Sequence, residues 1–273
     1  MIIGKAISPF SIKRKSNGGG GVPTDADAQA FITASGISGT EATATNQLVI
    51  DLKAANIWTK MKAVYPMVGG TATSHKFNLL NPVDSNAAYR LVFAGGLTHS
   101  STGILGNGTN GWANTFLDAS IIFPSGFASM GFYNRVAVTN SFYFMGVALS
   151  SVNFFRIQSA AGNVMRHVSK GTAATNHTVT DRLGFHANSR TSNTLITSID
   201  NTGAFQTNTT TVSGAYPSLN IPLFAQNSSV GGIGNYINAE LSFAYISDAL
   251  TSSELTTLKS INQTFQTTLG RNV

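Results

Sequence analysis

At 273 residues, with hydrophobic residues at 42%, charged residues at only 10% and a formal net charge of +6, the chain is long enough to bury a sizeable core yet draws its polarity from neutral groups. Globular chains usually carry about a quarter charged residues, so the shortage suits a β-sandwich with hydroxyl-rich outer faces better than an acid–base enzyme. The absence of cysteine excludes disulfides, thiolate catalysis and Cys-type zinc sites together.

The opening stretch MIIGKAISPFSIKRK places its charges after a very short apolar run, the wrong order for a secretory signal. No run of about 18 apolar residues is present to span a membrane. Lys5, Lys13, Arg14 and Lys15 face no acid within residues 1–23, whereas residues 24–66 hold three bases and four acids. The basicity is therefore concentrated in an N-terminal arm ending in the flexible linker SNGGGGVP. Such an arm reads as a tether meeting an acidic partner surface. The lack of aromatic–basic interleaving after it argues against nucleic acid.

From Thr24, TDADAQAFITASG predicts a helix with Thr24 as N-cap, acids in the first turn and Gly36 as terminus. A second helix is predicted over residues 42–56, with Leu48, Leu52 and Ala55 on one face. Trp58, Met61 and Tyr65 extend or flank it before Pro66. Residues 24–66 are thus expected as a helical segment docked on a sandwich formed by residues 67–273. In GGLTHSSTGILGNGTNGWANTFL (95–117) there is no Gly-Lys-Ser/Thr, which rules out a P-loop. Asn107-Gly108 and Asn110-Gly111 are turn signatures, so residues 95–111 read as a long loop with consecutive turns. WANTFLD follows as a buried strand, with Trp112 more at home in a core than as a sugar platform.

SFYFMGVAL (141–149) is apolar at both alternations, as in a central strand covered on both faces. VNFFRIQS, LGFHA, NTLITSI, FQTNTTTV and NIPLFAQ are short runs broken by turn formers, the spacing of an all-β sandwich. In YINAELSFAYI, Ile237, Ala239, Leu241, Phe243 and Tyr245 alternate with Asn238, Glu240, Ser242 and Ala244, predicting one core face and one wet or lightly covered face. The chain closes with a helix over residues 252–269, opened by a Thr251/Glu254 capping box and striped by Leu255, Leu258, Phe265 and Leu269.

Paired carboxylates for glycoside hydrolysis are hard to find. Glu41 lies in the helical zone, Glu240 on a strand and Glu254 in a cap, and the aspartates at 84, 118, 181, 200 and 248 sit mostly at predicted turns. His75, His99, His167, His177 and His186 lack the i, i+4 spacing of a helical metal site. His167 and His186 fall in strand-like runs, where a surface or hydrogen-bonded role outweighs a ligand role. No catalytic, cofactor or metal-binding residue is assigned. A glycan site, if present, is expected from His99, Asn107, Asn110 and Trp112.

DADAQAFITASGI, IWTKMKAVYPMVGGTATSHKFN, the 95–117 stretch and FAYISDALTSSELTTLKSINQTFQTTLGR together resemble a family of virion-associated structural proteins of tailed bacteriophages, including crAss-like phages and related prophages. The likeness spans about residues 24–273. The second half also resembles laminin-G-like sandwiches, in which a short strand such as SFAYI precedes a Leu-Thr-x-x-Glu helix start. These resemblances imply a mainly β fold: a concanavalin-like (laminin-G-like) antiparallel β-sandwich preceded by two short helices and closed by a C-terminal helix. They further imply a non-enzymatic component of the virion, namely a head decoration, head fibre or tail-associated protein. It would be anchored to other virion proteins by the arm bearing Lys5, Lys13, Arg14 and Lys15, and would be homo-oligomeric. The alternative is a glycan-binding adhesin meeting host or mucosal glycans; a carbohydrate-active enzyme ranks below both.

Overall fold

Short apolar runs punctuated by turn formers set the architecture, which a computed structural model gives for residues 24–138, 140–149 and 153–273. The anchoring role expected of Lys5, Lys13, Arg14 and Lys15 lies outside the described residues. The helices are α1 (Ala26–Ser35), α2 (Gly39–Ala54), α3 (Ala72–His75), α4 (Ala119–Ile122) and α5 (Ser252–Thr268). The strands begin with β1 (Met61–Tyr65), β2 (Val92–Ala94), β3 (Leu97–Ser100), β4 (Gly103–Gly106), β5 (Trp112–Asp118) and β6 (Ala128–Asn134). Next come β7 (Tyr143–Leu149), β8 (Asn153–Ala160), β9 (Val164–Ser169), β10 (Ala174–Thr178), β11 (Gly184–Ser192) and β12 (Leu195–Ile199). The set ends with β13 (Phe205–Asn208), β14 (Asn220–Leu223), β15 (Gln226–Ser228), β16 (Gly232–Gly234) and β17 (Glu240–Asp248).

Two sheets face each other, as expected of a sandwich. The eight-stranded sheet runs β13-β12-β11-β6-β17. Beyond β17 its N-terminal end pairs β4, which pairs β3, and its C-terminal end pairs β1. The nine-stranded sheet runs β10-β9-β8-β7-β14-β5-β2 and carries β15 and β16. β15 joins β7 in parallel; the other pairings among the described strands are antiparallel. The predicted central strand is central: β7 lies between β8 and β14.

The core has two compartments. Between the sheets, Phe132 of β6 stacks on Phe144 of β7 with ring centroids 4.2 Å apart, among Met130, Met145, Phe155, Ile221 and Leu241. On the outer face of the eight-stranded sheet, Phe31, Leu48, Leu52, Leu255, Leu258 and Phe265 of α1, α2 and α5 cover Tyr133, Phe185, Phe243 and Tyr245. An amphipathic helix has to bury its stripe against another element, and each large apolar side chain so buried contributes about 1.5–3 kcal/mol. Gly131 matters here because a Cβ on it would lie 2.5 Å from the Tyr245 ring.

Both ends of the chain's helical parts are capped locally, with one change from expectation. Asp25, not Thr24, is the N-cap of α1; its carboxylate accepts from the Asp27 N–H at 3.0 Å and also takes Lys53 Nζ at 2.7 Å. The carboxylate accepts both bonds, which a threonine hydroxyl cannot do as strongly. Gly36 ends α1 in the left-handed region with φ of 71°. Thr251 and Glu254 form the predicted capping box, and α5 stops at Thr268.

Four further expectations are corrected. Met61–Tyr65, expected to extend or flank the second helix, forms β1 in the eight-stranded sheet, because its successive side chains Ala63 and Val64 reach opposite core compartments. Residues 97–106, read as loop, form the β3–β4 hairpin, turned where the Ser100 hydroxyl accepts from the Thr102 N–H at 3.2 Å. β5 is buried on one face only: Ala113, Thr115 and Leu117 point inward, while Trp112, Asn114 and Phe116 are half-buried on the other side. Finally, β17 has no wet face. A bulge between Leu241 and Phe243 puts Leu241, Ala244 and Ile246 between the sheets and Phe243 and Tyr245 under the helices.

Candidate functional site

Toward one end of the sandwich the inter-sheet space turns polar. In β11, Phe185 and Ala187 point to the helices, so the alternate residues His186, Asn188 and Arg190 point between the sheets. Opposite them stand His167 and Ser169 of β9 and Thr175 and His177 of β10, with Ser198 of β12 and the following Asp200 alongside. Ring centroids of His167 lie 5.4 Å from His177 and 6.3 Å from His186.

The hydrogen bonds define the protonation pattern. His177 Nδ1 is 3.3 Å from the Asp200 carboxylate, its Nε2 is 2.7 Å from Ser198 Oγ, and Ser198 Oγ lies 2.5 Å from the Thr175 hydroxyl. A carboxylate only accepts, so Nδ1 carries the His177 proton and Nε2 accepts from Ser198. Burial by itself would raise the Asp200 carboxyl, but the Thr202 hydroxyl, His177 and the Ala204 and Thr202 N–H groups hold it below its usual value. Burial lowers His177 despite Asp200.

Ser198, His177 and Asp200 have the order of a nucleophile triad. Ser198 Oγ, however, is fully buried and hydrogen-bonded to Thr175 and His177, and neither Ser198 nor His177 is among the residues that line the neighbouring cavity. The relay positions Asp200, which does line one.

That cavity, of about 280 Å³, is walled by Thr178–Leu183, which links β10 to β11, and by Asp200, Asn201 and Thr202 after β12, with His186 lining it from β11. His186 Nε2 lies 3.1 Å from the Leu183 carbonyl, so it donates and Nδ1 is left as a lone pair with no partner among the described residues. Burial holds His186 at about 4, partly offset by Asp200. The ring is neutral at pH 7. Arg182, in the left-handed region at φ of 64°, turns its guanidinium away to the Val138 carbonyl at 2.5 Å and the Ala160 carbonyl at 2.9 Å. Asp181 is exposed at the rim, with one oxygen accepting from the Leu183 N–H at 3.0 Å.

Of the residues expected from sequence, Asn107 and Asn110 are brought together, with Asn107 Nδ2 donating to Asn110 Oδ1 at 2.8 Å. His99 is half-buried, with its Nδ1 2.9 Å from His75 Nδ1 and its ring edge-on to Phe93. Asn107 accepts from the N–H groups of Thr109, Asn110 and Gly111, while Asn110 accepts from Gly96 N–H and Asn107 Nδ2. Those two amides hold the turn together. Trp112 lies on the half-buried side of β5, and no hydrogen bond or ring contact among the described residues joins His99 to the other three. The glutamates serve structure: Glu41 accepts from Gly69 N–H, Glu240 pairs with Arg135 at 3.3 Å, and Glu254 caps α5 while pairing with Lys60 at 2.6 Å.

Sequence reasoning missed His177, His186, Ser198 and Asp200 as a group. The usable signal was the polar alternation of His186, Asn188 and Arg190 in β11, but in a lone strand such a row reads as the outward face.

No protein-family model matches the chain, and no curated protein matches it significantly. Among solved structures it is similar to the type C botulinum neurotoxin whose cell uptake depends on interaction with two ganglioside molecules, at 13% identity and a TM-score of 0.55, over 76% of this chain and 53% of that one. It is similar to a receptor binding domain at 14% identity and 0.52, over 76% and 52%. The binding domain of botulinum neurotoxin DC in complex with rat synaptotagmin II matches at 13% and 0.52, over 78% and 52%. The chain spans about half the length of these structures, and at such identity what it shares with them is the β-sandwich fold.

Proposed function

We propose that the chain is a non-catalytic recognition module that binds a saccharide in the cavity beside His186. The observation that carries this reading is the lining: the hydroxyls of Thr178, Thr180 and Thr202, the Asn201 amide and the Asp181 carboxylate surround the apolar Val179 and Leu183. A sugar ring presents the same mixture of hydroxyls and C–H patches. At about 280 Å³ the space is just under the roughly 300–1,000 Å³ of sites for drug-sized ligands, which suits one ring rather than a long segment. The shared fold with toxin binding domains supports a binding role over a catalytic one.

The family resemblance of residues 24–273 supports display on a tailed-phage particle, the basic arm meeting another virion protein and the sandwich meeting host or mucosal glycans. A single-ring site binds weakly, so a homo-oligomer of such modules would gain by multivalency.

The test is binding of the intact chain to an array of oligosaccharides. Thr180→Trp, at an exposed rim position, should block binding while Trp112→Ala leaves it intact. An array silent at every position removes the glycan reading, and loss with Trp112→Ala alone moves the site to the β5 face. Quantitative mass spectrometry of purified particles tests the virion role, which predicts a fixed, symmetry-related copy number against the major capsid protein.

A further inference from the structure

We propose that the outer face of the nine-stranded sheet binds an acidic saccharide, with the guanidinium groups of Arg156 and Arg166 taking its sulfate or carboxylate groups. This second site is built from other residues than the cavity and does not rest on it.

Strand register puts the groups there. Phe155 and Ile157 of β8 and Met165 of β9 belong to the core between the sheets, so the intervening Arg156, Gln158 and Arg166 point outward. Cross-strand pairing then lines up Tyr143, Gln158, Arg166 and Asn176 on β7, β8, β9 and β10. At the usual spacing of about 4.8 Å between strands this polar row is roughly 14 Å long. Arg156 lies beside the row, opposite Gly146, where a Cβ would collide with the Arg156 Cβ. Its guanidinium sits 3.6 Å from the Phe154 ring centroid and 5.1 Å from that of Tyr143, and its Nη1 donates to the Tyr143 hydroxyl at 3.2 Å. Stacking on an aromatic face fixes the plane of the fork.

These two cations lack the partners that the protein gives its other buried arginines. Arg182, Arg190 and Arg271 each donate to two or more carbonyls. Arg156, only 8% exposed, bonds through its side chain to the neutral Tyr143 hydroxyl alone, and the Arg166 side chain has no hydrogen bond or ion pair among the described residues. The charged group that acts on Arg156 is the like charge of Arg166. Burying a cation without a counter-charge is costly, and a bound oxyanion would offset that cost. A ligand can reach the pair: Nε of each is shut off from solvent, whereas the unbonded Arg156 Nη2 and both terminal nitrogens of Arg166 remain accessible.

The neighbours favour a saccharide as the carrier of the anion. Gln158 Nε2 and the exposed Asn176 amide stand beside the charges, ready to bond sugar hydroxyls. A nucleic acid would call for free aromatic faces and many phosphate contacts, but the Phe154 face is taken by Arg156.

The experiment measures the affinity of the intact chain for dextran sulfate, polygalacturonate, neutral dextran and single-stranded DNA. Either acidic polysaccharide should bind, the preferred one telling sulfate from carboxylate, and neutral dextran should not. Arg166→Gln should weaken binding about tenfold, the loss of a charge-assisted bond. Arg156→Lys, which keeps the charge but not the planar fork, should weaken it as well. Thr180→Trp at the cavity rim should leave it unchanged. Because the basic arm also attracts polyanions, the comparison is repeated with Lys5, Lys13, Arg14 and Lys15 all changed to Gln, and Arg166→Gln should still weaken binding in that background. Failure to bind either acidic polysaccharide overturns the proposal, as does unchanged affinity in Arg166→Gln or complete loss on neutralising the arm alone. Tighter binding of DNA reassigns the face to phosphate polymers, and loss with Thr180→Trp moves the acidic ligand to the cavity; each overturns it too. Should circular dichroism show Arg156→Lys unfolded, the half-buried and unbonded Arg166 decides the matter. None of these results bears on whether the cavity holds a sugar, which the oligosaccharide array reads with Thr180→Trp.

Discussion

Mild acid should destabilise this protein, and its buried histidines set the pH range. Burial pushes His75 down to about 3 and His186 to about 4, and it lowers His99, His167 and His177 as well. In the unfolded chain each takes a proton near pH 6.5, whereas the folded rings resist until far lower pH. The unfolded state therefore binds more protons between those limits, so stability is fully present above about pH 6.5 and is lost as pH falls through that value toward the folded pKa. At pH 4.5 His75 and His186 together remove about 5 kcal/mol, out of the 5–15 kcal/mol typical of a folded domain. The lowered carboxylates of Asp25, Asp84, Asp200 and Glu254 act in the same direction but at lower pH, since their stability is lost below their ordinary pKa. Urea unfolding followed by tryptophan fluorescence at pH 8.5, 7.5, 6.5, 5.5 and 4.5 reads the effect. Stability should be flat between pH 8.5 and 7.5 and then fall. His186→Phe should remove about 2.5 kcal/mol of the fall between pH 7.5 and 4.5. A wild-type stability at pH 4.5 within about 1 kcal/mol of that at pH 7.5 would refute the reasoning, because it would mean that the rings are hydrated in the folded state.

Other consequences follow from single residues. Arg271 is buried to 1% exposure and ties Gln266 of α5 to the carbonyls of Met67, Pro66 and Ser242. Arg271→Met strands these acceptors and should cost about 3–5 kcal/mol, seen as a drop of about 10 °C in Tm; a drop under 2 °C would show that water replaces the guanidinium. Thr251→Ala removes one half of the α5 capping box and should cost about 1 kcal/mol in urea unfolding. Ser198 should remain unlabelled by a fluorophosphonate probe in the folded protein, since its Oγ is buried and bonded to Thr175 and His177; stoichiometric labelling abolished by Ser198→Ala would turn the relay into a nucleophilic site.

The parts that were legible depend on neighbours in sequence. The cap of α5, the Gly36 terminus of α1 and the buried β7 each follow from a few adjacent residues, because capping, left-handed glycine and two-sided burial act over one turn or one strand. Met61–Tyr65 was ambiguous because Met61 and Tyr65 share a helix face by spacing, and only pairing with β17 from 180 residues later makes the segment a strand. The β17 bulge is likewise invisible in YINAELSFAYI, whose alternation is unbroken; it arises from fitting one strand to β6, β4 and β1 at once.

The sequence by itself determined that this is a charge-poor, cysteine-free, β-rich chain with helices at both ends of its described residues, since composition and short-range periodicity carry that information. Tertiary structure alone decided which polar residues go inside. His177, Ser198 and Asp200 meet because β10 and β12 lie in opposite sheets, and His186 reaches the cavity because the helix layer claims the other face of β11. A strand's two faces are equivalent until something covers one of them. Here the covering elements, α1, α2 and α5, come from the two ends of the described chain, so the identity of the polar interior is set by contacts between residues far apart in sequence.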